Sequence, residues 1–387
     1  MEKITFVIPS RNNLEFLKLA YESIRELNTK HEILILNDGS SDGTLEWLES
    51  LNDTDLLIHN NPGPERIGIV GMFDKGIELA RTEIIFAFHS DMIAAPMLDE
   101  NILKHLKPGT VVSATRVEPP LHPPGPEKIT QNFGIEVETF DRGQWEIFCD
   151  QAIKNEKITE GIFAPWCMYK KDFLAIGGHD ELFAPQSKED SDLFNRMQLA
   201  GYKFLQPWNA LVYHFTSRGS RFNKHSGGSA GTNSQEWLET TTKNMRNFIR
   251  KWGHIVQHDK YMKPVIPPKY DIGIILKNCP NKELLLILEP WSSDIYTDCD
   301  IEPYIEEEQK NTTIDLSKKI HSIHAEVRND IEIRIDANRL GEVDIRYICD
   351  MNSIIKDNEI LEEDWGSSFR VGNLEIGINR VEECNIL

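Results

Sequence analysis

The chain has 387 residues, 40% hydrophobic and 27% charged, which fits two ordinary globular domains better than one and excludes a disordered protein. Its formal net charge of −20 repels phosphate backbones and anionic lipid, so nucleic-acid binding is not expected. No run approaches the roughly 18–20 apolar residues of a membrane span. The chain opens on a strand-like segment rather than a signal peptide, and its six cysteines form no CxxC pair, so a cytoplasmic protein is expected.

Ile4-Thr5-Phe6-Val7-Ile8 is a short β-branched and aromatic run, and it predicts a strand halted by Pro9-Ser10. Leu14, Leu17, Ala20, Tyr21 and Ile24 recur at helical spacing. Glu32-Ile33-Leu34-Ile35-Leu36 is nearly continuous in apolar character, as a strand covered on both faces should be. A turn-rich loop at 37–43, a helix at 44–51, a strand at 56–58 and a loop at 60–64 follow. A helix is expected at 72–80 and a fourth strand at 83–88. Strands alternating with helices imply a mostly parallel sheet with helices on both faces.

The proline-rich segment 118–126 sustains neither helix nor central strand, because proline lacks a donor and fixes φ. It reads as a long loop of the kind that borders a site. Helices are expected at 190–199 and 234–252, with a Gly, Ser and basic-rich loop at 218–232 between them. From Tyr270 onward there are 26 acidic and 12 basic residues, so this tail carries −14 of the −20. Short alternating runs at 272–276, 284–288, 320–327, 331–335, 343–348 and 374–378 then predict a β-rich, sandwich-like domain. The expected organisation is a first domain over 1–262, a linker at 263–270 and an accessory domain over 271–387.

Ligands of open α/β sheets sit beyond the carboxyl ends of the strands. Three loops stand at such ends here. Pro9-Ser10-Arg11-Asn12 and Asn37-Asp38-Gly39-Ser40-Ser41-Asp42-Gly43-Thr44 offer a carboxylate and a glycine that permits close backbone approach, although Asp38 and Ser40 serve equally well as turn and cap residues. Phe88-His89-Ser90-Asp91-Met92 closes the fourth strand; Asp91 suits a divalent-cation ligand, or a helix cap before Ile93. Gly177-Gly178-His179-Asp180-Glu181 and Lys188-Glu189-Asp190-Ser191-Asp192 crowd acids at a helix start, where the macrodipole favours them and where one can act as a general base. His214 ends a fifth apolar run; a lone histidine is commonly structural, but beside Asp91 it reads as a metal ligand.

These elements, in this order over roughly residues 4–222, resemble the inverting family-2 glycosyltransferases of the GT-A fold. The resemblance implies a GT-A type, Rossmann-like α/β domain that moves a sugar from a nucleotide diphosphate donor, first of all a UDP-sugar, to a glycan or lipid-linked acceptor. It implies that Pro9, Ser10 and Asn12 line the nucleotide pocket and that Asp38 contacts the base. Asp91 matches the last acid of the family's Asp-x-Asp motif and should bind Mn2+ or Mg2+, with His214 completing the metal site. Asp190 matches the catalytic base, and Arg218 and Arg221 match a basic loop over the diphosphate. The motif departs from the family at His89, where the first acid usually stands. A neutral imidazole there can donate to a ribose hydroxyl or coordinate a metal beside Ser90. Asp74 stands where relatives often carry Asn and is assigned no role. A non-catalytic nucleotide-sugar or glycan-binding protein and a sugar nucleotidyltransferase are the alternatives; the latter usually opens with a glycine-rich phosphate loop, which Pro9-Ser10-Arg11-Asn12-Asn13 is not. Trp291 and Trp365 read as core residues of the tail, which could also join copies of the chain as a homo-oligomer.

Overall fold

In the computed structural model, residues 2–358, 360 and 362–384 are described. The first elements follow the hydrophobic pattern closely: β1 (Ile4–Ser10), α1 (Leu14–Arg25), β2 (Glu32–Asp38), α2 (Thr44–Ser50), β3 (Leu56–Asn61), α3 (Gly68–Leu79) and β4 (Ile84–Ala87). After them come β5 (Met92–Ala94), α4 (Leu98–Leu103), β6 (Thr110–Ser113), β7 (Thr115–Glu118), β8 (Ile129–Thr130), α5 (Arg142–Ala152), β9 (Ile158–Thr159), β10 (Trp166–Tyr169), α6 (Lys170–Ala175), α7 (Glu189–Leu199), β11 (Lys203–Pro207), β12 (Leu211–His214) and α8 (Gln235–Trp252). The chain divides into two units. The first comprises residues up to Thr241 with His258–Val265; the second comprises Thr242–Gln257 with residues from Ile266 onward. The helix α8 thus runs through the division.

The first unit is a mixed α/β fold built on an eight-stranded sheet in the order β3-β2-β1-β4-β10-β6-β11-β9. Strands β1 to β4 are parallel, and β10 runs antiparallel between β4 and β6. Both faces are covered, which is why β1 and β2 are apolar throughout. Phe6, Ile8, Ile33 and Ile35 point into one core, and Val7, Leu34 and Leu36 into the other. Burying one such aliphatic contributes roughly 1.5–3 kcal/mol. A second, four-stranded sheet in the order β5-β12-β7-β8 stands on the segment that follows β4. It brings chain ends far apart in sequence to one place.

The second unit is a sheet domain, as its alternating runs suggest, but its single six-stranded sheet carries helices and is not a sandwich. Its elements are β13 (Ile272–Lys277), α9 (Lys282–Leu288), β14 (Asp294–Thr297), α10 (Glu302–Glu308), β15 (Ile320–Ser322), β16 (Ile331–Asp336), α11 (Glu342–Cys349), α12 (Met351–Asp357), β17 (Ser367–Val371) and β18 (Leu374–Ile378). The order is β15-β14-β13-β16-β18-β17, with the first four strands parallel. The runs at 284–288 and 343–348, read as strands, are helices. Short apolar runs fit either period, and caps decide between them: Asn281 Oδ1 accepts from Leu284 N at 3.2 Å and Asp344 Oδ2 from Gly341 N at 2.9 Å. The burial of Leu285 and Leu288 with Leu286 and Ile287 exposed is a helical pattern. No described helix is long and apolar enough to cross a membrane.

Candidate active site

Strand β4 ends at Ala87, and Phe88 N still donates to Val7 O at 3.0 Å. The chain then turns through His89-Ser90-Asp91 into β5. A strand follows Asp91, so the helix-cap reading of that residue does not apply. Antiparallel pairing of β5 with β12 sets His214 opposite Met92, and Phe215 N donates to Asp91 O at 3.0 Å. One ligand atom from each of His89, Asp91 and His214 lies within 4.8 Å of the others. Two residues 123 positions apart in sequence, Asp91 and His214, therefore meet because two strands pair.

The charges around this cluster are arranged to attract a cation. His214 Nε2 lies 3.5 Å from Asp91 Oδ2, and Nδ1 lies 2.7 Å from Glu118 Oε1. Glu118 is itself buried, with Lys128 Nζ 2.8 Å from its other oxygen and Arg116 Nη1 at 3.6 Å. Burial alone would lower the His214 pKa, but the two carboxylates outweigh it and push it up to about 9. Burial alone would raise Asp91; the His214 charge and hydrogen bond, together with the Arg218 backbone N–H at 2.6 Å, hold it down to about 2. Glu118 is held far below the usual carboxylate range against its own desolvation. His89 is shifted down, chiefly by burial, so it stays neutral with a lone pair to offer.

Asp190 stands half-buried in the first turn of α7, close enough for its charge to act on His89. Its neighbour Glu189 is buried, has no partner for Oε2, and is pushed up to about 8 by burial and by Asp190. The backbone here is strained. Ser187 (φ 77°) and Lys188 (φ 75°) lead into α7, Thr216 (φ 71°) and Ser217 (φ 57°) follow β12, and Asn12 (φ 50°) follows β1. Side chains seldom adopt such angles unless the surroundings hold them there, and they concentrate at functional sites.

The remaining sequence-predicted residues fall into two groups. Pro9 and Ser10 end β1, and Ser10 Oγ is buried without a partner. Asn12 Oδ1 accepts from Ser41 N at 2.7 Å, its own N donates to Ser40 Oγ at 3.0 Å, and Ser90 Oγ accepts from Asn13 Nδ2 at 3.0 Å. These bonds join the ends of β1, β2 and β4. A cavity of about 130 Å3 beside them is lined by Arg11, Asn12, Arg66, Gln186 and Ser220 among others. Asp38 is committed elsewhere: it accepts from Asn61 Nδ2 (2.7 Å), Ile67 N (2.9 Å) and Gly68 N (2.8 Å), anchoring the loop that enters α3. Gly68, at φ 90°, lies so close to Pro185 that a Cβ would sit 2.4 Å from it. Arg218 turns its buried guanidinium to Ile135 O and Glu136, leaving Nε and Nη1 without partners. Arg221 lies over the Trp237 ring at 4.5 Å and bonds Asn233 Oδ1 at 2.9 Å.

Residues 5–170, just under half of the chain, match the model of the family Glycosyl transferase family 2. That stretch holds β1 to β10, the strands that build most of the first sheet. The match includes Asp38, His89, Asp91 and Glu118 and stops short of Asp190 and His214. A curated relative, the uncharacterized glycosyltransferase YfnE of Bacillus subtilis (strain 168), is 34% identical over 110 residues, which are 27% of this chain and 26% of the relative. The match thus spans about a quarter of that protein's length. Two solved structures are similar at TM-scores below 0.5: GalNAc-T7 with UDP, GalNAc and Mn2+ (13% identity, TM-score 0.47, 67% of this chain and 49% of that one), and the mannosyltransferase PcManGT from Pyrobaculum calidifontis with GDP-Man and Mn2+ (17%, 0.42, 64% and 63%).

Several residues that shape this site carry no mark in the sequence. Glu118 reads there only as the start of a proline-rich loop; its place beside His214 follows from the parallel pairing of β7 with β12. Asp74, given no role, holds the turn before α7: its carboxylate accepts from His179 N at 3.0 Å and lies 2.6 Å from His179 Nδ1. A Cβ at Gly178 would meet that carboxylate at 2.5 Å, which explains that glycine, and Gly177 takes φ 85°. The proline-rich loop does return to this region, with the His122 ring 5.6 Å from that of Phe222, tilted by 33°, on the loop after β12.

Proposed function

We propose that the first unit is a family 2, metal-assisted glycosyltransferase acting by single displacement with inversion, from a nucleotide diphosphate sugar to an acceptor hydroxyl. The observation that carries this reading is the meeting of His89, Asp91 and His214 within 4.8 Å at the end of β4, with His89 and Asp91 in the stretch that matches the family 2 model and with Asp190 in electrostatic reach. The donor set of two imidazoles and one carboxylate fits a divalent cation of borderline softness, which favours Mn2+ over Mg2+. Such a cation, when bound, neutralises charge on the departing diphosphate. Asp190 takes the proton from the acceptor hydroxyl as that oxygen attacks the anomeric carbon. Ser10, Asn12 and Ser90 line the nucleotide side of the cleft. Asp38 contributes there through the loop it anchors, and Arg221 stands on the loop that faces it. The donor in this reading is a UDP-sugar and the acceptor a glycan or a lipid-linked glycan; a panel of nucleotide sugars with and without manganese decides the first.

The test of the reaction is Asp190→Asn. Transfer should fall by about 10²–10⁴-fold while donor binding, measured by calorimetry, stays within a few fold. Full transfer in that variant would remove Asp190 from the mechanism.

A further inference from the structure

We infer that Glu118 is a positioning residue that fixes the tautomer of His214 and thereby makes the candidate metal centre able to take a cation. The inference rests on the metal-assisted reading above and extends it to a residue outside the ligand set.

Neutral histidine binds a metal only through the ring nitrogen that carries no proton. In this site the metal-facing nitrogen is Nε2, because Nε2 is the atom that approaches Asp91, at 3.5 Å. The proton must therefore sit on Nδ1, where Glu118 Oε1 waits to accept it at 2.7 Å. A second contact says the same from the other side of the ring. The backbone N–H of Ser217 points at Nε2 from 3.2 Å, and an N–H can only donate, so Nε2 presents its lone pair. Ser217 is held there in a left-handed conformation, φ 57°.

Glu118 is well suited to this task. It is 1% exposed, so it meets no solvent ligand. Its other oxygen is occupied by Lys128 Nζ at 2.8 Å, and Arg116 Nη1 lies 3.6 Å from the oxygen that faces His214. Two cations thus compensate the carboxylate where it is buried and fix its orientation. Lys128 is nine-tenths or more buried as well, so this pair is part of the fold and not a surface ion pair.

Lys128 also makes the consequence of a substitution specific. In Glu118→Gln the side-chain shape is kept, but only one end can accept a hydrogen bond. Lys128 can only donate, so the amide oxygen turns to it and the amide nitrogen turns to His214. Nδ1 then becomes the acceptor, the proton moves to Nε2, and the lone pair that faces Asp91 is lost. Adding Lys128→Met removes the donor that forces this orientation and lets the amide turn back.

The experiment reads tautomer and cation binding separately. In metal-free protein held above pH 9, where the His214 ring is neutral, 15N NMR of labelled histidine should show it protonated at Nδ1 in wild type and at Nε2 in Glu118→Gln. Manganese affinity, read by paramagnetic resonance of free Mn2+, should fall by about 10–100-fold in Glu118→Gln. It should recover in Glu118→Gln/Lys128→Met while that variant melts at the same temperature or lower. An unchanged tautomer in Glu118→Gln overturns the inference, and so does equal loss of affinity in the single and double variants. Wild type that binds no manganese would overturn the metal-assisted reading instead, and the NMR arm would still decide the role of Glu118.

Discussion

The two units build their parallel strands in the same order, third-second-first-fourth in the chain: β3-β2-β1-β4 in one and β15-β14-β13-β16 in the other. In such sheets the crevice between the first and fourth strands is where ligands bind. Only the first unit leaves that crevice chemically open, with the ends of β1 and β4 presenting Ser10, His89 and Asp91. In the second unit the corresponding ends are tied to one another. Asn278 Nδ2 donates to Asp336 Oδ1 at 2.9 Å, and Asp298 accepts from Asn278 N at 2.8 Å and Cys279 N at 3.0 Å. Topology supplies the place for a site; unspent donors and acceptors make it one.

Buried charge teaches the same lesson. The second unit holds Glu289 against Arg250 (2.6 Å), Lys319 (2.5 Å) and the Tyr304 hydroxyl (2.9 Å), and Glu308 against Arg246 and Arg250 at 2.7 Å each. Every one of these carboxylates faces cations, and the network fixes the C-terminal half of α8 within that unit. At His89, Asp91 and His214 the carboxylate shares its surroundings with two imidazoles, one of them neutral, and valence remains.

Breaking the saturated network should therefore cost the most. Arg250→Met leaves two buried carboxylates under-paired and should destabilise the second unit by about 3–5 kcal/mol, read as faster hydrogen exchange in β13, β14 and β16. An unchanged exchange rate there would mean the network is ornamental. Acid should weaken the same network next. Burial by itself would raise the Glu289 pKa, but Lys319 and Arg250 hold it at about 2, below the ordinary 4.5. A carboxylate with a depressed folded value contributes stability that is full above pH 4.5 and is lost as pH falls towards 2. Denaturant melts between those values should show the loss, and Glu289→Gln should flatten it. The smallest stability change belongs to the open cluster. Asp91→Asn in metal-free protein should lower stability by about 2 kcal/mol, the amount implied by its depressed pKa; a loss comparable with Arg250→Met would make Asp91 structural.

Much of the first unit was legible in the sequence for a physical reason. Strands buried on both faces must be apolar throughout, so β1, β2 and β4 announce themselves, and the residue that ends each strand is then a site candidate. Asp91 and His214 could be named in this way, and the structure brings them within 3.5 Å of each other. Glu118 could not, because its partner depends on which strands pair, and register leaves no trace in one chain. Asp38 shows how one position serves two readings: it stands at a strand end, and it accepts three hydrogen bonds from the 61–68 loop. In the second unit, apolar runs of five or six residues fit strand and helix equally, and Asn281 and Asp344 settle the matter through caps that only the three-dimensional structure displays.

The central claim is that His89, Asp91 and His214 together hold one divalent cation, and a manganese titration followed by paramagnetic resonance tests it most directly. Wild type should bind a single Mn2+ and Asp91→Ala none at the same concentrations. Identical titration curves for the two proteins, or binding that survives loss of both Asp91 and His214, would contradict it.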